Sequence, residues 1–226
     1  MFFFKSCQRN HQNCSDQLPA LVSFSPIVAH CPKLVHLDLT SVDYACNHQR
    51  LCRLVRRCPE LEDIVMSSCY EYDEPKVLLL LRHLPRLRRL ELPPGTRFSG
   101  KSLALVPKTM RLLRLPCGEL CSTHVRHLAR CRELRQLELS GASQLTAEDL
   151  AAALSGCGQL EELAVGRLTP PPERYLPPAG LAHLATLDLQ DSPGVSDITL
   201  RRLPQLTPAL TVLCLQGKWR RRGWVR

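Results

Sequence analysis

The chain has 226 residues, 44% of them hydrophobic but only 5% aromatic, and a formal net charge of +9. This is ample apolar material for a continuous core in one or two domains. The most apolar run, Val77 to Leu81, falls far short of the roughly 18 residues that a membrane-spanning helix needs. The opening Phe2-Phe3-Phe4 gives way at once to Lys5 and a polar stretch, so no signal-peptide core is expected.

Residues 1–17 are polar and are expected to be disordered. Within them Cys7, His11 and Cys14 have a zinc-like spacing, with His30 or Cys31 available as a fourth ligand. The usual Cys-x-x-Cys pairs are absent, and no metal or cofactor is expected. Leu18, Leu21, Val22, Phe24, Ile27 and Val28 then read as the second half of a truncated repeat. From Leu34 onward a six-residue motif, Leu-x-x-Leu-x-Leu or a close variant, returns eight times. It begins at Leu34, Leu61, Leu87, Met110, Leu134, Leu160, Leu184 and Leu210, with separations of 27, 26, 23, 24, 26, 24 and 26 residues.

A leucine motif returning every 20 to 29 residues is the pattern of a leucine-rich-repeat solenoid, each unit burying its apolar face only against its neighbours. The expected fold is α/β, a horseshoe of about eight repeats with a parallel concave sheet and convex helices. The repeat domain is expected over 18–217, followed by a basic tail over 218–226.

Helical spacing predicts returns over His48 to Arg57, from Pro75 through Val77 to Leu84, over Thr123 to Ala129, and over Ser196 to Leu203. Thr146-Ala-Glu-Asp149 reads as a capping box before Leu150, Ala153 and Leu154. Residues 93–106 leave room for only a short helix. Residues 169–180 hold five prolines and are expected to be extended and non-helical. No polar capping helix follows the eighth motif, and solenoids need their end layers covered. The chain is therefore expected to be a fragment or splice form, or to have an end covered by a partner.

The twelve cysteines do not read as a disulfide framework. Cys31, Cys58, Cys131 and Cys157 all sit three residues before a motif, and Leu84 and Leu181 fill the same slot elsewhere. They read as buried, reduced thiols packing as small hydrophobes, which points to the cytoplasm or nucleus.

Alternation along each strand sends motif positions three and five onto the concave face. Those positions supply six acids (Asp38, Asp63, Glu91, Glu138, Glu162 and Asp188) and two arginines (Arg89 and Arg114), an acidic stripe on a basic chain. The expected ligand is a protein segment of basic character, with Arg89 and Arg114 forming a central positive spot. The alternative is that these charges only keep an exposed sheet soluble. The tail, Lys218 to Arg226, holds three adjacent arginines between Trp219 and Trp224. It reads as an import signal, a nucleic-acid or membrane contact, or a solvated tail. No broad basic face is evident, so nucleic-acid binding ranks last and no membrane partner is expected. With no phosphate loop, nucleotide fingerprint or Gly-x-Ser-x-Gly elbow, binding is expected in place of catalysis.

The Cys-x-x-Leu-x-x-Leu-x-Leu pattern starting at Cys31, Cys58, Cys131 and Cys157 resembles the cysteine-containing subclass of leucine-rich repeats. Cys69, three residues after Met66, fits its second cysteine, and Leu145-Thr146 and Val195-Ser196-Asp197 fit its helix start. That subclass is most familiar from F-box/LRR proteins, the substrate receptors of SCF ubiquitin ligases. The resemblance implies a protein-interaction module that recognises ubiquitination substrates. The chain departs from that pattern in having no F-box: residues 1–30 are too short and lack both the Leu-Pro-x-Glu-like and Cys-Arg-x-Trp-like motifs. A Skp-type adaptor and cullin are thus implied only if an F-box is supplied elsewhere. The competing reading is a stand-alone scaffold or inhibitor unrelated to ubiquitin.

Overall fold

The computed structural model describes residues 30–39, 48–66 and 72–215. Eight strands form one parallel sheet in chain order: β1 (His36–Asp38), β2 (Asp63–Val65), β3 (Arg89–Glu91), β4 (Leu112–Pro116), β5 (Gln136–Ser140), β6 (Glu162–Ala164), β7 (Thr186–Asp188) and β8 (Val212–Cys214). The fourth motif position is in register throughout: Leu37 faces Ile64, which faces Leu90, and so on to Leu187 and Leu213. This is the α/β leucine-rich-repeat solenoid that the motif spacing predicts.

The register is held by a hydrogen bond that repeats at every step. The carbonyl at motif position two accepts two backbone N–H groups from the next repeat, using both lone pairs. Val35 accepts from Glu62 and Asp63 at 2.9 and 3.1 Å, Arg111 from Arg135 and Gln136 at 2.8 and 3.0 Å, and Ala185 from Thr211 and Val212 at 2.8 and 2.9 Å. Inward leucines at positions one, four and six fill the space between sheet and returns, with Leu61, Leu90, Leu134, Leu163 and Leu187 almost wholly buried.

The returns follow their local chemistry. Helix α1 (His48–Arg57) buries Leu51, Leu54 and Val55. Helix α2 (Glu74–His83) starts at Asp73, whose carboxylate accepts from Lys76 N–H, and carries Pro75 in its first turn. A 3-10 turn over Lys101–Leu105 is the short helix expected there. Helix α3 (Ser122–Val125) runs on into a 3-10 turn over Arg126–Arg130. Helix α4 (Ala147–Leu154) is capped by Thr146, whose hydroxyl accepts from Asp149 N–H at 3.2 Å. The box is only half made, because Thr146 N–H donates instead to Ser122 Oγ of the preceding repeat at 2.9 Å. Helix α5 (Asp197–Leu206) has the complete box between Ser196 and Thr199 and continues through Pro204, three residues past the predicted end.

Two expectations are corrected. The proline-rich return is not wholly extended: Pro172–Arg174 forms a 3-10 turn that sinks Pro172, Tyr175 and Leu176 into the core where other repeats place a helix. In the cysteine slot, Cys58, Cys131 and Cys157 are buried but Cys31 is exposed. Burial pushes the Cys131 thiol up to about 11 and the Cys157 thiol up to about 12. The slot also has a polar use. Cys58 Sγ donates to Cys31 O at 3.4 Å, and Cys157 Sγ to Leu128 O at 3.5 Å, so a thiol in one repeat caps a carbonyl of the repeat before it. All eight described cysteines are free thiols. The readings made for Cys7, His11, Cys14, Cys69, residues 18–28 and the tail lie outside the described residues.

Candidate protein-binding face

The strands present motif positions three and five side by side on the sheet's outer face, so the eight residues singled out there line one surface. They do not share one environment. At the β1 end His36 Nδ1 lies 2.5 Å from Asp63 Oδ2, and Asp38 stays exposed on the same strand. In the middle, the expected positive spot is replaced by an alternating chain of charge. Arg89 donates to Glu91 Oε1 through Nε and Nη2 at 2.8 and 2.5 Å. Arg114 donates to Glu91 Oε2 at 2.8 Å and reaches Glu138 Oε2 at 3.2 Å. Glu91 is left only 6% exposed beneath the two guanidiniums. The arginines are spent on holding a buried carboxylate, whose charge would otherwise be costly, and the centre of the face is close to neutral.

The β5–β7 end differs. In the ladder of fifth positions Glu138 faces Ala164, which faces Asp188, and Glu162 stands on the same strand as Ala164. The small Ala164 stands between Glu138 and Asp188 in the ladder. Burial raises the Glu162 carboxyl above its usual range, against the pull of Arg114 and of a hydrogen bond from Gln136, and Glu161 raises it further. Burial also raises Asp188, against a 2.9 Å hydrogen bond from Gln190 N–H, with Glu138 and Asp191 adding to the rise. Both shifts come chiefly from burial, and a cation placed over Ala164 would favour the charged forms of Glu162 and Asp188.

The alternation pattern finds all eight residues but not this division. Burial of Glu91 depends on two long side chains folding over it, and the raised carboxyls of Glu162 and Asp188 depend on how deeply each is buried. Among the described residues, no group of three or more His, Cys, Asp or Glu side chains is arranged to hold a metal ion, and no helix is long and apolar enough to cross a membrane.

No family model matches the chain. A curated relative, F-box/LRR-repeat protein 4 from Bos taurus, is 28% identical over 154 residues, covering 65% of this chain and 24% of that protein. The chain thus spans about a quarter of the length of the curated relative it matches. Yeast Rad7, solved in complex with Elc1, superposes with a TM-score of 0.66 at 19% identity, over 90% of this chain and 56% of its own.

The chain has the leucine-rich-repeat fold. Two further structures share the architecture of this leucine-rich-repeat protein. TLR13, solved with ssRNA13, has a TM-score of 0.56 at 18% identity, over 84% of this chain and 27% of its own. The internalin InlF from Listeria monocytogenes str. 4b F2365 has a TM-score of 0.51 at 15% identity, over 84% of this chain and 64% of its own. The repeats are similar to those of an F-box/LRR protein over the 154 residues matched.

Proposed function

We propose that the solenoid recognises substrates for an SCF-type ubiquitin ligase whose F-box is supplied elsewhere, and that it does so by taking a basic protein segment on its concave face. The observation that carries the binding step is the pair Glu162 and Asp188 beside Ala164, two partly buried carboxylates whose charged forms are disfavoured by burial, with Glu138 of the same face already held by Arg114. A lysine or arginine of the partner seated there would gain charge-assisted hydrogen bonds. The ubiquitin link is supported by the F-box/LRR relative. The module acts by binding, with no catalytic step of its own. We place it in the cytoplasm or nucleus, on the strength of its reduced, buried thiols.

The test combines stability and affinity. An acid whose folded-state pKa is raised holds its proton longer in the folded protein, so it costs stability as pH rises past its unfolded value. The pair Glu162→Gln and Asp188→Asn is therefore expected to make the free protein slightly more stable at neutral pH. That gain disappears below pH about 4, where the acids are protonated in both states. The same pair is expected to weaken capture of the partner at least about tenfold. Affinity purification from cells should recover a Skp-type adaptor and cullin with the partner. If they are absent when an F-box subunit is co-expressed, the ubiquitin role fails. If the variant binds the partner as tightly as the native chain, the concave reading fails.

A further inference from the structure

Positive charge that looks scattered along the returns is collected by the fold onto one edge. Every return ends, turns and enters its strand on the same edge, because the register aligns equivalent motif positions in neighbouring repeats. Across the second to fifth repeats, the return ends carry Arg56, Arg57, Arg82 and Arg130. The turns and strand entries that follow carry Arg86, Arg88, Lys108, Arg111, Arg132 and Arg135. Nine of these are exposed and Arg88 is half-buried. Only three acids, Glu60, Glu62 and Glu133, lie in the same segments.

Three of the bases are partly neutralised: Arg88 lies 3.4 Å from Glu62, Arg111 3.3 Å from Glu133, and Arg135 2.5 Å from Glu161. Arg130 donates to Ala104 O. Arg56, Arg57, Arg82, Arg86, Lys108 and Arg132 make no ion pair among the described residues. The fold does not require this charge. Bases at helix C-termini favour the helix dipole, yet α4 ends in Leu154-Ser155-Gly156 and α5 in Gln205-Leu206, with none.

The composition of the edge selects its partner. Protein–protein interfaces are depleted of charge at their centres and anchored by buried aromatic side chains. These segments contain no Phe, Tyr or Trp, and their one large exposed apolar side chain is Leu105. Surfaces that bind nucleic acid are polar and strongly positive, and take their affinity from neutralised phosphates. Nine of the ten bases are arginine, whose planar fork matches phosphate oxygens. The lack of aromatics leaves no platform for stacking the bases of a single strand. We propose that this edge docks on the phosphate backbone of duplex nucleic acid without reading its sequence. The carboxylates of the neighbouring concave face repel phosphate and confine the contact to the edge.

The experiment is fluorescence anisotropy with the full chain and a labelled DNA duplex of roughly 24 base pairs, run over a series of salt concentrations. The edge variant combines Arg86→Gln, Lys108→Gln and Arg132→Gln, three exposed positions outside any ion pair described, with circular dichroism to show that the fold is intact. The native chain should bind at about 50 mM salt, with log affinity falling linearly against log salt. The edge variant should bind at least about tenfold more weakly, with a slope shallower by about 2.7, three lost phosphate contacts at about 0.9 each. The same comparison is made with Arg220→Gln, Arg221→Gln and Arg222→Gln in the tail, and the edge effect should persist in that background. Absence of duplex binding at low salt, or a loss caused by the tail substitutions alone, overturns the proposal. Tighter binding of polyglutamate than of the duplex also overturns it and assigns the edge to an acidic protein.

Discussion

Tyr175 is buried where other repeats place a helix, and its hydroxyl has no hydrogen-bond partner among the described residues. Burial, aided by the charge of Glu173, pushes its phenol well above the ordinary value and keeps it neutral. A buried hydroxyl without a partner costs about 1–3 kcal/mol, so Tyr175→Phe should keep the packing and raise stability by about 1 kcal/mol. Urea unfolding measures this, and a lower midpoint would mean that the hydroxyl is satisfied after all. The leucine spacing does not flag this position, because Tyr175 lies outside the motifs in a return expected to be extended. Glu91 was hidden for a related reason. Its place in the alternation equals that of Glu138, but Arg89 and Arg114 fold over Glu91 and leave Glu138 half-exposed. Which long side chain closes over which acid is decided by rotamers that the spacing of leucines does not specify.

At the scale of elements, neighbouring returns are clasped by side chains that no motif announces. Glu74 at the start of α2 accepts from the backbone N–H groups of Ser99, Gly100 and Ser102 at 2.7, 2.9 and 2.7 Å, and from the Ser99 and Ser102 hydroxyls. It thereby caps the 3-10 turn of the next repeat. Burial alone would raise its carboxyl, but the hydrogen bonds from Ser102, Gly100 and Ser99 outweigh it and hold the group below the usual range. An acid with a depressed folded-state pKa lends stability that is complete above its unfolded value, about 4.3, and lost as pH falls through the folded one. Glu74→Gln should therefore cost about 2 kcal/mol at neutral pH. The difference from the native chain should shrink as unfolding is followed into acid, and a pH-independent difference would rule out the carboxylate as its source.

Gly156 is a second clasp, made by absence. A Cβ there would lie 1.7 Å from Ala129 O of the preceding repeat, so two backbones touch where any side chain would separate them. Gly156→Ala should destabilise by more than about 3 kcal/mol, seen as a large drop in melting temperature, and an unchanged melting temperature would show that the returns can part freely. Leucine spacing made the strands, their order and most returns legible, because periodicity and capping residues act locally. The clasps join residues about one repeat apart, one through hydrogen bonds and one through a close backbone approach, so no recurring pattern announces them.

Taken whole, the molecule is a stack in which each layer is stabilised by the layers on either side. Such a stack behaves as a chain of nearest-neighbour couplings, and its stability is not uniform along its length. Leu137 and Leu213 occupy the same motif position, yet Leu137 on β5 is 2% exposed and Leu213 on β8 is 37% exposed. Val212 beside it is 39% exposed, and among the described residues no layer packs beyond β8. Truncating Leu137 removes contacts to two neighbouring layers and should cost about 2–5 kcal/mol. Truncating Leu213 removes contacts on one side of a half-wet side chain and should cost less than about 1.5 kcal/mol. Hydrogen exchange should follow the same gradient. Amides of β3 to β6 should exchange only with global unfolding, and those of Val212–Cys214 should exchange through local opening that Leu137→Ala barely changes. Equal protection along the whole sheet, or equal costs for Leu137→Ala and Leu213→Ala, would mean that β8 is covered in solution and that the stack unfolds as a single unit.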